Sequence, residues 1–262
     1  MSFDNDFVGM DVDLCRALAA AVLGDTSKLT LVELTDTDRW TRLQNNEVDV
    51  VMRSTHTAER DVHEPTTGVG FTFSTPYYYD ALTVGGKPPF NACANAMDTT
   101  SVQCSDLRVC VEAGTPHEQV IASLFPDNYA AVPDQNSLYQ SFIANACNVI
   151  AAEGYNVLAS TLERYGYTGA YEVGPGRDTE SFNVTTITVF AKAPLSMVTR
   201  QDDPVWSDLV EWTLQALMDA EEREITKLSA PAFGTTAVFG PELRNLFVHA
   251  INAVGNYGEI YE

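Results

Sequence analysis

Apolar residues along the chain keep two alternating spacings. Leu14, Leu18, Ala21 and Val22 recur at helical intervals, with Asp11 placed to cap the start of that helix and Gly24 to end it. "LTLVEL" (29–34) follows as a short strand-like run, "DRWTRLQNN" reads as a helix burying Trp40 and Leu43, and "VDVVMR" reads as a strand. The nearly continuous apolar character of "VDVVMR" is that of a strand covered on both faces. Strand, helix, strand in that order predicts a parallel α/β sheet. The rhythm stops at "ALTVGGKPPFNACANAMDTTSVQC", where glycines and prolines follow a strand as they would at a crossover between domains. It resumes with "LRVCVEAG" as strand, "TPHEQVIASLF" and "SLYQSFIANA" as helices, "CNVIAA" as strand, "EGYNVLASTLERYG" as helix and "TTITVFAK" (185–192) as strand. The tail is helical: "PVWSDLVEWTLQALMDAEEREI" carries Val205, Leu209, Trp212 and Ala216 on one face, and "PELRNLFVHAINAVG" is the last helix.

This pattern predicts two α/β units. The tail has no sheet of its own, so the chain is expected to return to the first unit: 1–84 with 190–262 as one lobe, 85–189 as the other. Two crossings form a hinge, and a cleft between lobes is the expected ligand site.

Composition narrows the partners. The 262 residues are 45% hydrophobic, enough for a sizeable core. No apolar run approaches the ~20 residues that cross a bilayer, so direct membrane insertion is not expected. The opening "MSFDNDFVGMDVD" has neither a basic nor an apolar signal region, so the protein is cytosolic or its leader lies outside this sequence. Fifteen Lys and Arg face 36 Asp and Glu, a net charge of -21, which argues against nucleic acid and anionic membranes as partners.

Against so acidic a background, "MRSTHTAERD" (52–61) stands out for Arg53 and Arg60 around Ser54, Thr55, His56 and Thr57. It follows a strand, and ligands of open α/β sheets bind beyond the carboxyl ends of strands. Arg60 can offer a bidentate fork to a carboxylate, with Thr55 and Thr57 adding hydroxyl bonds. Equally, Arg60 can pair with Glu59, Asp61 or Glu64 on an ordinary loop. In the second unit, Gly114 and Thr115 lie between a strand and a helix, either as an anion site of backbone N–H groups or as a plain cap with Pro116 in the first turn. Glu153 directly follows "CNVIAA" and can hold an ammonium or cap the next helix. No G-x-S-x-G, Walker loop, G-x-G-x-x-G or H-E-x-x-H occurs, and His56, His63, His117 and His249 lack metal-ligand spacing. No catalytic residue, metal or cofactor is therefore expected. His63 reads as a surface residue, His249 as one among core positions, and Tyr77–Tyr79 as aromatic packing.

Cys15 falls on the apolar face of the first helix. The other four cysteines make two natural pairs, Cys93 with Cys104 around a polar stretch that cannot build a core, and Cys110 with Cys147 in neighbouring strands. Each bridge would stabilise by roughly 3–4 kcal/mol; four free thiols in a cytosolic protein are the alternative.

"GMDVDLCRALAAAVLGD", "LQNNEVDVVMRST", "TAERD", "YYYDALTV", "LRVCVEAGT", "PVWSDLVEWTLQALMDAEEREIT" and "VGNYGEIYE", in order over nearly the whole chain, resemble the family 3 solute-binding proteins of amino-acid ABC transporters, nearest the general L-amino-acid binding branch. The resemblance implies a type II periplasmic-binding fold, two lobes with open, mostly parallel sheets joined by a two-strand hinge. It implies that Arg60, with Thr55, holds a ligand α-carboxylate and that Glu153 holds the α-ammonium, with Arg53, His56, Thr57 and Thr115 as further ligand-site candidates. It also favours the Cys110–Cys147 bridge. Where that family has an aspartate this chain has Glu153, Pro116 offers no backbone N–H, and the family's first strand is expected to be missing ahead of Gly9. The function expected is capture of an amino acid or related small zwitterion by an extracytoplasmic, monomeric, non-enzymatic protein serving an ABC permease or membrane sensor. The alternatives are a dehydratase of the cyclohexadienyl or arogenate type with Glu153 as general acid, or a sensory domain that binds nothing. Asn183-Val184-Thr185 is a lone glycosylation sequon.

Overall fold

The structure, a computed structural model, describes residues 7–35, 38–154, 156–174 and 191–261. In chain order these form α1 (Met10–Leu23), α2 (Arg39–Gln44), β1 (Val51–Thr55), α3 (Ala58–His63), β2 (Phe71–Phe73), β3 (Tyr78–Gly86), α4 (Phe90–Asn95), β4 (Val109–Glu112), α5 (Pro116–Leu124), β5 (Tyr129–Val132), α6 (Gln135–Ile143), β6 (Val149–Glu153), α7 (Ala159–Arg164), β7 (Glu172–Val173), β8 (Ala191–Arg200), α8 (Pro204–Glu222), α9 (Leu246–Val254) and α10 (Tyr257–Tyr261). The chain divides into two compact units, Met1–Leu34 with Asp38–Tyr78 and Leu195–Glu262, and Thr35–Thr37 with Tyr79–Pro194. β3 and β8 each run from one unit into the other. The sequon at Asn183, and most of the strand expected over 185–192, lie outside the described residues.

In the first unit α1 buries Leu14, Ala17, Leu18 and Ala21 and packs chiefly on α9. Its N-cap is Gly9 rather than Asp11, which sits in the first turn where a carboxylate favours the helix dipole. Gly24, at φ 66°, closes the helix with its N–H donated to Ala20 O. Along α8 the buried stripe runs through Leu209, Val210, Leu214, Leu217 and Ala220. The series Val205, Leu209, Trp212, Ala216 follows one edge of that stripe, which leaves Val205 63% and Trp212 55% exposed. His249, expected among core positions, is exposed on α9.

β8 pairs antiparallel with both β1 and β2, through Val51↔Val198 and Phe71↔Arg200. Trp40, Leu43, Val51, Phe71 and Val198 form the core on this sheet. "LTLVEL", expected as a strand, joins no ladder among the described residues. A strand needs a neighbour's hydrogen bonds, and among the described residues no strand pairs with this segment.

In the second unit β4 pairs parallel with β5 and β6, and β6 pairs antiparallel with β3. Alternate residues go to opposite faces. Val109, Val111, Val149 and Ala151 pack with Ile121 and Phe125 on one side, while Cys110, Ile150 and Ala152 pack with Leu138, Tyr139 and Phe142 on the other. Both faces being covered explains the unbroken apolar runs. Cys110–Cys147 and Cys93–Cys104 are bridged, with Cα separations of 5.8 and 5.7 Å. The stretch between Cys93 and Cys104, expected to build no core, does contribute one: the bridge buries both sulfurs with Ala94 beside Leu107.

Candidate functional site

Each unit presents its own group of polar side chains beyond strand ends. In the first, β1 delivers Ser54 and Thr55, both buried, and Thr57 then caps α3 by accepting a bond from Arg60 N at 3.3 Å. That turn carries the Arg60 guanidinium back over the strand end, where Nη1 donates to Thr55 O at 3.2 Å. The guanidinium carbon also lies over the Trp40 ring, 4.8 Å from its centre, a cation–π contact. Two of the three acids offered as its loop partners, Asp61 and Glu64, also bond elsewhere. Asp61 Oδ2 lies 3.3 Å from His56 Nε2, and Glu64 Oε2 accepts from Thr66 N, Thr67 N and Thr67 Oγ1. His56 also stacks on Phe73, centroids 4.4 Å apart and 4° from parallel.

Arg53 belongs to a different network. From Val51 to Ser54 β1 advances three residues while β8 advances two, Val198 to Ser196, and the bulge puts Arg53 at φ 53°. Its N–H donates to Tyr77 Oη at 2.8 Å, and its Nη1 is 4.0 Å from Asp11. Tyr77 in turn donates to Asp11 Oδ1 at 2.6 Å, and burial, then Asp11, push the phenol well above its ordinary pKa. Tyr77 is thus core, as expected, whereas Tyr79 is exposed.

In the second unit β4 and β6 are adjacent and parallel, so Thr115 and Glu153 come to the same end of the sheet. The Thr115 hydroxyl donates to Glu112 O at 2.8 Å and accepts from Glu118 N at 3.3 Å, while Gly114 N donates to Glu118 Oε2 at 2.8 Å. The segment is arranged as a helix cap with Pro116 in the first turn. Glu153 is partly buried at the end of β6, opposite Leu82, and is not the cap of α7, whose N-cap is Leu158. Beside it is a carboxylate that the sequence reading passed over. Asp80 is 7% exposed and accepts from Gly154 N at 3.1 Å and Ala81 N at 2.7 Å, pinning the turn that carries Glu153. An acid inside the apolar strand "YYYDALTV" was the available signal. Trp40 was likewise assigned only to the core. Among the described residues no group of His, Cys, Asp and Glu has the arrangement of a metal site.

These strand-end polar groups on an open α/β sheet are the setting in which the comparisons become informative. Residues 1–235 match the bacterial extracellular solute-binding proteins, family 3. The chain belongs to that family. Its α/β fold with an open sheet is of the type II periplasmic-binding class expected from the sequence. Among relatives in the family, the putative amino-acid ABC transporter-binding protein YhdW of Escherichia coli is 31% identical, covering 99% of this chain and 75% of that protein. The general L-amino acid-binding periplasmic protein AapJ of Rhizobium johnstonii is 28% identical, covering 98% of this chain and 75% of that protein. A solved ABC transporter periplasmic binding protein from Brucella ovis with glutathione bound superposes with a TM-score of 0.76 at 26% identity, over all of this chain and 82% of the other.

Proposed function

We propose that this protein captures an amino acid or a related small zwitterion for ABC-type uptake or sensing, without catalysing its conversion. The observation that carries the reading is the Arg60 guanidinium, lying over the Trp40 ring and tied to the end of β1 beside the buried Thr55. A planar fork fixed in this way matches a carboxylate in geometry as well as charge. Glu153 supplies the opposite charge suited to an ammonium, and the turn fixed by Asp80 holds it in place. Thr57, His56 and Thr115 support these groups: Thr57 by capping α3, His56 by stacking on Phe73, and Thr115 by capping α5. Arg53 acts through Tyr77 and Asp11. The acting form is an extracytoplasmic monomer delivering its solute to a membrane permease or sensor, a setting supported by two buried disulfides, which persist in oxidising compartments.

The test is calorimetric titration with the twenty amino acids, followed by Arg60→Ala. Loss of one partner of a buried, hydrogen-bonded charge pair costs about 2–5 kcal/mol, so affinity for the best ligand should fall roughly 30-fold or more. Unchanged affinity would remove Arg60 from the site. Prephenate and arogenate incubated with the protein should be recovered intact; their conversion would replace the binding reading with a dehydratase.

A further inference from the structure

His56 stands between Thr55, the last residue of β1, and Thr57, the cap of α3. Its Nε2 lies 3.3 Å from Asp61 Oδ2 on α3, and its ring lies parallel to Phe73 of β2 with 4.4 Å between centres. Together with the bond from Arg60 Nη1 to Thr55 O, this makes a second tie between the end of β1 and α3, at the residue that follows Arg60. A helix of six residues does not hold itself in water, so such ties decide where its side chains stand. Both contacts of the ring strengthen when it carries a proton. Asp61 then meets an imidazolium instead of a neutral donor, and the face of Phe73 meets a cation. Histidine is the side chain whose charge changes between pH 5 and 8. Other charged groups on the surrounding elements are engaged or exposed. Arg53, on β1, lies against Asp11, and on α2 Arg39 donates to Arg53 O while Arg42 bonds Glu47. Glu64 accepts within its own turn, Glu59 and His63 are exposed on α3, and β2 brings no charge.

On the reading that Arg60 grips the ligand carboxylate, we infer that His56 is a positioning residue for that grip, acting through Asp61, and that a proton on its ring tightens carboxylate binding. Asp61 places a negative charge one residue beyond Arg60, where it opposes an arriving carboxylate. A neutral His56 leaves that charge standing, and a protonated one offsets it at 3.3 Å. The bound state therefore gains more from the proton than the empty one, which is the condition for coupling between the two events. By reciprocity, ligand binding draws a proton onto His56. The pair is 34% exposed at the histidine and 45% at the aspartate, so solvent screening keeps the effect modest.

The experiment is calorimetric titration with the amino acids of uncharged side chain, at about pH 5.5 and about pH 7.5. It uses the wild-type chain, His56→Gln, Asp61→Asn, His63→Gln and Arg60→Ala. The wild type should bind about two- to fivefold more tightly at the lower pH. Between the two pH values its binding should take up protons, read from the heats in two buffers of different ionisation enthalpy. His56→Gln and Asp61→Asn should each abolish the pH dependence and the proton uptake, whereas His63→Gln should keep both. Equal wild-type affinity at the two pH values would overturn the proposal. So would a pH dependence that survives His56→Gln, which would place the titrating group elsewhere. One that survives Asp61→Asn would mean that His56 acts on the ligand directly, and would overturn it too. Arg60→Ala separates the two levels of the reading. An affinity unchanged by that substitution, or no binding of any of these amino acids, removes the grip and the role of His56 with it. A weakened Arg60→Ala affinity beside a flat wild-type profile removes the role of His56 alone.

Discussion

Where β1 bulges, Arg53 adopts a left-handed backbone and its N–H turns to Tyr77, so two arginines seven residues apart serve separate networks. Sequence spacing had grouped them, because a bulge moves a side chain without leaving a mark in composition. Arg60 could be picked out from its neighbours, but its stack on Trp40 could not, since Trp40 already fitted a helical core position. Cys15 shows the same limit. It was expected as a buried hydrophobe on α1 and is only partly covered there, yet burial and then Asp11 raise its thiol pKa from 9.0 to about 12. A thiol raised in the folded state favours folding below its ordinary pKa, and that contribution is lost as pH climbs from about 9 to about 12. Alkylation of Cys15 by iodoacetamide in the native protein should therefore stay slow through pH 9 and accelerate only towards pH 12, while urea-unfolded protein should titrate near 9. Fast native alkylation at pH 8 would show that the thiol is not held in its neutral form.

The elements that the pattern revealed are those whose partners lie in the chain's own periodicity. β4 and β6 were legible because both of their faces are covered, and α1 because its stripe repeats over four turns. "LTLVEL" was misread because side-chain pattern reports what a segment can do, whereas a ladder also requires a neighbour. At α5 the sequence left two roles open for Thr115, and the hydrogen bonds show the cap. With its oxygen accepting from Glu118 N and its proton given to Glu112 O, the hydroxyl is engaged in ending β4 and starting α5. Thr115→Ala should cost about 1 kcal/mol in urea unfolding, the usual worth of a threonine cap. It should leave amino-acid affinity unchanged, and Thr115→Ser should recover most of the stability. A drop in affinity without loss of stability would return the hydroxyl to the ligand.

At the scale of the whole chain, charge connects stability to ligand choice. A net charge of -21 places the folded state under self-repulsion that the more expanded unfolded chain relieves. Raising ionic strength from 0.01 M to 1 M shortens the screening length from about 30 Å to about 3 Å, so the melting temperature should rise with NaCl. Chloride is the right probe, because sulfate also strengthens apolar burial and would give the same sign for another reason. The same field acts on an approaching ligand. A zwitterionic amino acid carries no net charge and should associate at a rate nearly indifferent to salt. If Arg60 is the carboxylate grip proposed above, glutamate, at one net negative charge, meets long-range repulsion before that short-range attraction, so its association rate should increase as NaCl is added. Stopped-flow association of glutamine and glutamate at low and high NaCl separates the two contributions. Parallel salt dependences would mean that the arginine neutralises the field where the ligand enters. A rate for glutamate that falls with salt would mean that the entrance is locally basic, and the overall charge would then say nothing about which solutes are admitted.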